Sequence, residues 1–66
     1  MTLIVNGKPL AVSDGSTVAE LVAQLGRGPA GIAVARNGDV VVRSTWATTP
    51  LAEGDKVEIL TAAQGG

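Results

Sequence analysis

Few residues in this chain could do chemistry. It has no cysteine and no histidine, and its one aromatic residue is Trp46. Without cysteine there is no thiol nucleophile, side-chain thioester, disulfide or thiolate-bound metal. Without histidine the usual general base and the commonest metal ligand are missing. Glu53 and Asp55 frame a turn and do not form a ligand cluster, so no metal site is expected. What remains is the ending, Leu60 Thr61 Ala62 Ala63 Gln64 Gly65 Gly66. Gly65 and Gly66 carry no Cβ, so they can thread a channel too narrow for any side chain. The α-carboxylate on Gly66 has an ordinary pKa of about 3.3–3.7, which makes it an anion and a poor electrophile at neutral pH. Acyl chemistry would first require activation, most simply as a mixed anhydride with AMP made from ATP. That step needs an enzyme that admits the tail and excludes water. On this reading the chain is itself no enzyme and binds no cofactor; the ATP belongs to the activating enzyme. The same ending also suits a frayed terminus, and the residues alone leave both readings open.

Composition narrows the classes further. Sixty-six residues make one domain, and a chain of that size buries only about 60% of the surface it exposes when unfolded. Its stability should be on the order of 3–10 kcal/mol, which leaves little room for an internal active-site pocket. A net charge of -1 with five scattered basic residues gives no electrostatic footprint for nucleic acid. Phe and Tyr are absent as stacking platforms. The apolar runs are only a few residues long, so neither a membrane span nor a secretory signal is expected, and a reducing cytoplasmic location is the default.

The elements that must position the ending follow from local signals. Leu3 Ile4 Val5 reads as a strand that stops at Asn6 Gly7, a dipeptide that tolerates the positive φ of a tight hairpin turn. A second strand is expected from about Pro9 to Val12, with Pro9 opening it or turning its missing N–H to solvent. Ser13 Asp14 Gly15 Ser16 is a turn cluster. Thr17 Val18 Ala19 Glu20 reads as a capping box. Val18, Leu21, Val22 and Leu25 then fall on one helical stripe, and Gly26 stands where a left-handed cap ends the helix. Gly28, Pro29 and Gly31 prevent its continuation. At about nine residues this helix is too short to stand alone in water, so it must pack on a sheet. Ile32 to Arg36 and Val40 to Val42 form a second hairpin around Asn37 Gly38 Asp39. Arg43 to Thr49 reads as a polar loop apart from Trp46 and Ala47, Pro50 Leu51 closes it, and Gly54 Asp55 turns the chain into a last strand, Lys56 to Leu60.

Hairpin, helix, hairpin, loop and final strand describe an α+β roll of the β-grasp type. A mixed four- or five-stranded sheet carries one main helix on one face, and the crossover is right-handed. Residues 1–61 would form this domain and residues 62–66 a flexible tail. The expected core is Leu3, Val5, Leu10, Val18, Leu21, Val22, Leu25, Ile32, Val34, Leu51, Val57 and Ile59. Alternation puts Ile4 and Leu60 on the opposite face, with small Ala33, Ala35 and Ala62 beside them, as a docking patch leading to the tail. Trp46 is expected to lid one end of the core with its indole N–H on a backbone carbonyl. Arg43 is expected to be solvated or bonded to a carbonyl.

Val5 Asn6 Gly7, Thr17 Val18 Ala19 Glu20 Leu21, Asn37 Gly38, Arg43 Ser44, Trp46, Thr49, Leu51, Gly54 Asp55, Val57 Glu58 Ile59 and Gly65 Gly66, in that order, resemble the ThiS family of thiamine-biosynthesis sulfur carriers across essentially the whole chain. Two residues depart from the pattern: Val42 stands where proline is frequent, and Arg36 where an aliphatic residue is common. The resemblance implies a ubiquitin-like β-grasp protein whose Gly66 carboxylate is adenylated by an E1-like adenylyltransferase and converted to a thiocarboxylate, with sulfur from a cysteine-derived persulfide donor. Thiazole synthase would then receive the sulfur. Ala62, Ala63, Gln64 and Gly65 would form the arm that threads the partner's channel. The residues by themselves are also compatible with a carrier like the small subunit of molybdopterin synthase, a ubiquitin-like protein modifier, or a plain binding module with no terminal chemistry.

Overall fold

The structure is a computed structural model and describes residues 1–26 and 31–61. Its elements are β1 (Thr2–Val5), β2 (Lys8–Ala11), α1 (Val18–Gln24), β3 (Ile32–Arg36), β4 (Asp39–Val41), a 3-10 helix (Arg43–Thr48) and β5 (Lys56–Thr61). The five strands form one mixed sheet in the order β2-β1-β5-β3-β4. The last strand therefore lies at the centre, parallel to β1 and antiparallel to β3. This is the expected β-grasp arrangement, with five strands.

Both hairpins turn as their dipeptides predict. Asn6 and Gly7 take φ of 50° and 82°, and Asn37 and Gly38 take 50° and 88°. Positive φ at both central residues gives a turn whose twist matches the flanking strands. The first turn pairs Val5 with Lys8 and Ile4 with Pro9. In a two-residue hairpin the closing pair is hydrogen-bonded and the next pair is not, so the missing N–H of Pro9 costs the ladder nothing. Strand β2 begins one residue earlier than its apolar residues suggested, because pairing starts directly at the turn and includes Lys8.

The capping box forms as expected. The Glu20 N–H donates to the Thr17 hydroxyl at 3.3 Å, and the Thr17 N–H donates to Glu20 Oε1 at 2.9 Å. The helix has seven residues, with Leu25 as its C-cap and Gly26 beyond it at φ 71°. Val18, Leu21 and Val22 are buried against the inner sheet face, where they meet Leu3, Val34, Val57 and Ile59. Truncating Leu21, which has no exposed surface, would cost about 2–5 kcal/mol, a large part of the stability of so small a domain.

The core departs from the expected set in three respects. Val5, Leu10, Leu25 and Ile32 are half-buried, packing around the rim of the core. Each lies at the end of an element or on the outer strand, where the opposing layer no longer covers it. Val12 is buried although it lies past β2, because its backbone N–H is drawn inward to the Met1 carbonyl at 2.9 Å. The segment expected to be a loop contains the 3-10 helix, with Trp46 buried inside it. The Trp46 indole N–H donates to the Val41 carbonyl at 2.8 Å, so the expected lid and its backbone anchor are both present. Arg43 is exposed at the start of this helix.

Candidate functional site

Strand β5 is the element through which the fold leads to the chain's ending, and its two faces differ completely. Val57 and Ile59 are buried, while Lys56, Glu58 and Leu60 are exposed. That period of two reflects a strand with helix on one side and none on the other. The final strand is one residue longer than its apolar alternation suggested, because Thr61 still pairs with Ile32.

The register shows which residues share the outer face with Leu60. Leu60 stands opposite Ala33, and Glu58 opposite Ala35. Ala35 in turn stands opposite Val40. Val42 follows β4 as the N-cap of the 3-10 helix, still in extended backbone, so the alternation of β4 carries it to the side of Val40. Leu60, Val40 and Val42 are 64%, 74% and 57% exposed, so three large apolar side chains gather on the face away from the helix. Ala33 and Ala35 put only small side chains on the same face, which the exposed Glu58 shares. A patch of this kind is a feature of docking surfaces. The expected patch of Ile4 and Leu60 does not include Val40 and Val42, although the alternation along the strand Val40 Val41 Val42 carries the signal.

Ile4 is half-buried and thus less accessible than the alternation suggested. It lies between its neighbours Pro9 and Lys56 on either side, which shield it. With Gly7, Asn37, Gly38, Lys56, Val57 and Glu58 it lines a shallow groove between the two Asn-Gly turns. Leu60 and Ile4 therefore occupy different parts of the face: Leu60 lies near the exit of β5 and Ile4 near its start. Ala62, Ala63, Gln64, Gly65 and Gly66 lie outside the described residues.

Behind the groove is a buried acid that sequence reasoning treated only as part of a turn. Asp55 is 7% exposed. It accepts from Arg36 Nε at 2.8 Å, Asn37 Nδ2 at 3.0 Å and the Ala52 N–H at 2.8 Å. Burial by itself would raise its pKa, but the Ala52 N–H, the Asn37 amide and the Arg36 guanidinium together hold it below the ordinary carboxylate value. Its lone pairs are directed at these partners, so it supports the fold and is not presented as a ligand. The signal available in sequence was Arg36, a charge inside an otherwise apolar strand that requires a counter-charge.

Among the described residues no group of three or more acidic, histidine or cysteine side chains could hold a metal ion. None of the described helices is long and apolar enough to cross a membrane. The described residues thus present an exposed apolar patch beside the central strand and no metal-binding cluster of side chains.

Comparison with known proteins agrees with this arrangement. Residues 3–66 match the ThiS family. The sulfur carrier protein ThiS of Escherichia coli is 33% identical over 66 residues, covering the full length of both chains. The crystal structure of a thiamine biosynthesis protein, ThiS, from Geobacter metallireducens superimposes with a TM-score of 0.86 at 38% identity, covering all of both chains. Thiazole synthases of Paramagnetospirillum magneticum and Magnetococcus marinus are each 36% identical over 66 residues, and the chain spans 20% of their length. From a match that runs through Gly65 and Gly66 and a ubiquitin-like fold shared across the whole chain, it follows that this chain belongs to the ThiS family.

Proposed function

We propose that the chain is a sulfur carrier for the thiazole moiety of thiamine, loaded and unloaded at Gly66. The observation that carries this reading is the end-to-end match with the E. coli sulfur carrier, which includes the last residue of each chain. The side-chain inventory supports it, since the sequence contains no thiol or imidazole that could carry sulfur instead.

In the loading step an oxygen of the Gly66 carboxylate attacks the α-phosphorus of ATP, and pyrophosphate leaves. An E1-like adenylyltransferase would supply the water-free site in which the acyl adenylate survives. The outer sulfur of a cysteine-derived persulfide donor then attacks the acyl carbon and AMP leaves, giving an acyl disulfide between Gly66 and the donor. A second thiol, as the two-electron reductant, attacks the donor's sulfur and breaks the S–S bond, so that the donor leaves as a disulfide with that thiol and the terminus is released as a thiocarboxylate. The role of this chain is to dock and to deliver its end: residues 1–61 provide the docking domain, Ala62, Ala63 and Gln64 the arm, and Gly65 the slender approach. Thiazole synthase is the acceptor in this reading. The relatives that bear that name contain a segment like this whole chain within one longer polypeptide, which suits a carrier and an acceptor that must meet repeatedly. A cytoplasmic site of action suits the use of ATP.

Intact-protein mass spectrometry tests the proposal. After incubation with an E1-like enzyme, ATP, a persulfide source and a thiol reductant, the chain should gain the mass difference between one sulfur and one oxygen, localised to Gly66. A chain that stays unmodified, or a gain localised to a side chain, would overturn it.

A further inference from the structure

The β1 side of the central strand ends in an unusual way. Along the parallel β1–β5 ladder, the Ile4 N–H donates to the Asp55 carbonyl and the Asn6 N–H to the Val57 carbonyl, each at 2.9 Å. The next acceptor in that series is the Ile59 carbonyl. By then the β1 backbone has turned away at Asn6–Gly7, and no main-chain donor from β1 remains. The Asn6 side chain takes its place: Nδ2 donates to the Ile59 carbonyl at 3.2 Å, and Oδ1 accepts from the Ile59 N–H at 2.8 Å. A carboxamide carries the donor and acceptor of a peptide group, so Asn6 extends the ladder by one step after its backbone has left.

Asn37 does the corresponding job at the other end of β5, from the other hairpin. Its Oδ1 accepts from the Lys56 N–H at 2.9 Å, and its own N–H donates to the Lys56 carbonyl at 2.7 Å. The two turn asparagines thus pin the same strand from opposite sides, one at its start and one near its exit. Only Asn6 acts close to the ending, seven residues before Gly66.

We propose that Asn6 is a positioning residue for the reaction at Gly66: by fixing Ile59 from the β1 side it sets the point from which the arm departs relative to the docking face. This rests on the proposed sulfur-carrier function and adds a residue to it. Only five residues follow Thr61, and when a partner's channel holds them extended they reach at most about 3.3–3.6 Å each, so a displacement of the root is taken directly from the reach of the carboxylate. Displacements on the order of 1 Å at a reacting group can cost about a hundredfold in rate. Loosening one of two ladders, with β3 still paired to Ile59, should cost less. Docking should survive, because the Leu60, Val40 and Val42 side chains make no use of the Asn6 amide.

Glycine substitution isolates the amide, since both asparagines sit at φ 50°, where glycine is unstrained. In Asn6→Gly the Ile59 amide should exchange with deuterium about tenfold faster, and in Asn37→Gly the Lys56 amide should do so. In ATP–pyrophosphate exchange with an E1-like adenylyltransferase, below the melting range of every variant, Asn6→Gly should lower kcat about fivefold and leave KM within about twofold. Asn37→Gly, which releases the far end of the same strand, should leave both within about twofold. Asn6→Asp, which keeps only the acceptor, should follow Asn6→Gly. Equal kcat values for wild type and Asn6→Gly, an equal loss in Asn37→Gly, or an effect confined to KM would overturn the positioning role. A wild-type chain that drives no exchange would instead overturn the proposed function, and the positioning role with it.

Discussion

Arg36 and Asp55 meet at 2.8 Å between Nε and Oδ2, joining the end of β3 to the turn that launches β5. The carboxylate is buried and the guanidinium half-exposed, so the pair is screened less than a surface ion pair. Asn37 and the Ala52 N–H complete the set of donors around Asp55.

A defined pH dependence follows. The pKa of Asp55 is lowered on folding, so its contribution to stability is fully present above the unfolded-state value of about 3.9 and is lost as the pH falls below that through the lower folded-state value. Asp55→Asn should cost about 1–3 kcal/mol at pH 7, since it leaves Arg36 without its charged partner. The gap between wild type and Asp55→Asn should then narrow below about pH 4. Urea unfolding at pH 7 and pH 3 measures it; a gap independent of pH would contradict the assignment.

Trp46 should be the most costly single side chain to remove. It is buried, and its N–H is bonded to the Val41 carbonyl. Trp46→Ala should lose about 3–5 kcal/mol, enough to leave a domain of this size largely unfolded at ambient temperature. Trp46→Phe should retain the fold at a smaller cost that includes a hydrogen bond of about 1 kcal/mol and the Val41 carbonyl left without its partner. Far-UV circular dichroism is the suitable probe, because the substitution removes the only fluorescent side chain. A Trp46→Ala variant as stable as wild type would show that the lid is dispensable.

What was legible in sequence is what local chemistry dictates. Asn6 Gly7 and Asn37 Gly38 encode their turns within two residues, and Thr17 with Glu20 encodes a helix start within four. Leu60 could be placed on the outer face from alternation with Ile59 alone. Features that depend on distant partners were harder to read. Nothing near Asp55 in the chain announces that Arg36 and Asn37 will cover it, 19 and 18 residues away. The half-buried state of Ile4 depends on strand order, which sets Lys56 beside it. The 3-10 helix carries no apolar period. It is held by hydroxyl groups bonding back to nearby carbonyls, as Thr45 does to Val42 at 2.9 Å, and short polar segments of this sort look like loops in sequence.

Leu60 allows docking to be tested apart from folding. It is 64% exposed and lies opposite Ala33, so Leu60→Asp should change unfolding free energy by no more than about 0.5 kcal/mol. If the outer face docks the adenylyltransferase, the same change places a charge in the middle of the patch formed with Val40 and Val42, and should raise KM for the carrier at least about tenfold. Titration calorimetry or exchange kinetics against carrier concentration would show it. Unchanged affinity would mean that partners approach by another face.

Gly66 gives the converse separation. Among the described residues the buried apolar side chains run from Leu3 to Ile59, and Gly66 has no side chain to add to them, so Gly66→Val and deletion of Gly66 should leave the melting temperature unaltered. Valine at that position adds a branched side chain next to the carboxylate and restricts the backbone that must enter the activating site. Deletion keeps a carboxylate but withdraws it by one residue, about 3.3–3.6 Å of reach, more than an in-line attack on phosphorus tolerates. On the proposed function both variants should therefore fail to support ATP–pyrophosphate exchange while still competing with wild type for the enzyme, since neither change touches the patch of Leu60, Val40 and Val42. Normal exchange by either variant would show that the reacting carboxylate is not positioned by the length and slenderness of the ending. A variant that neither reacts nor competes would place Gly66 in the docking contact itself.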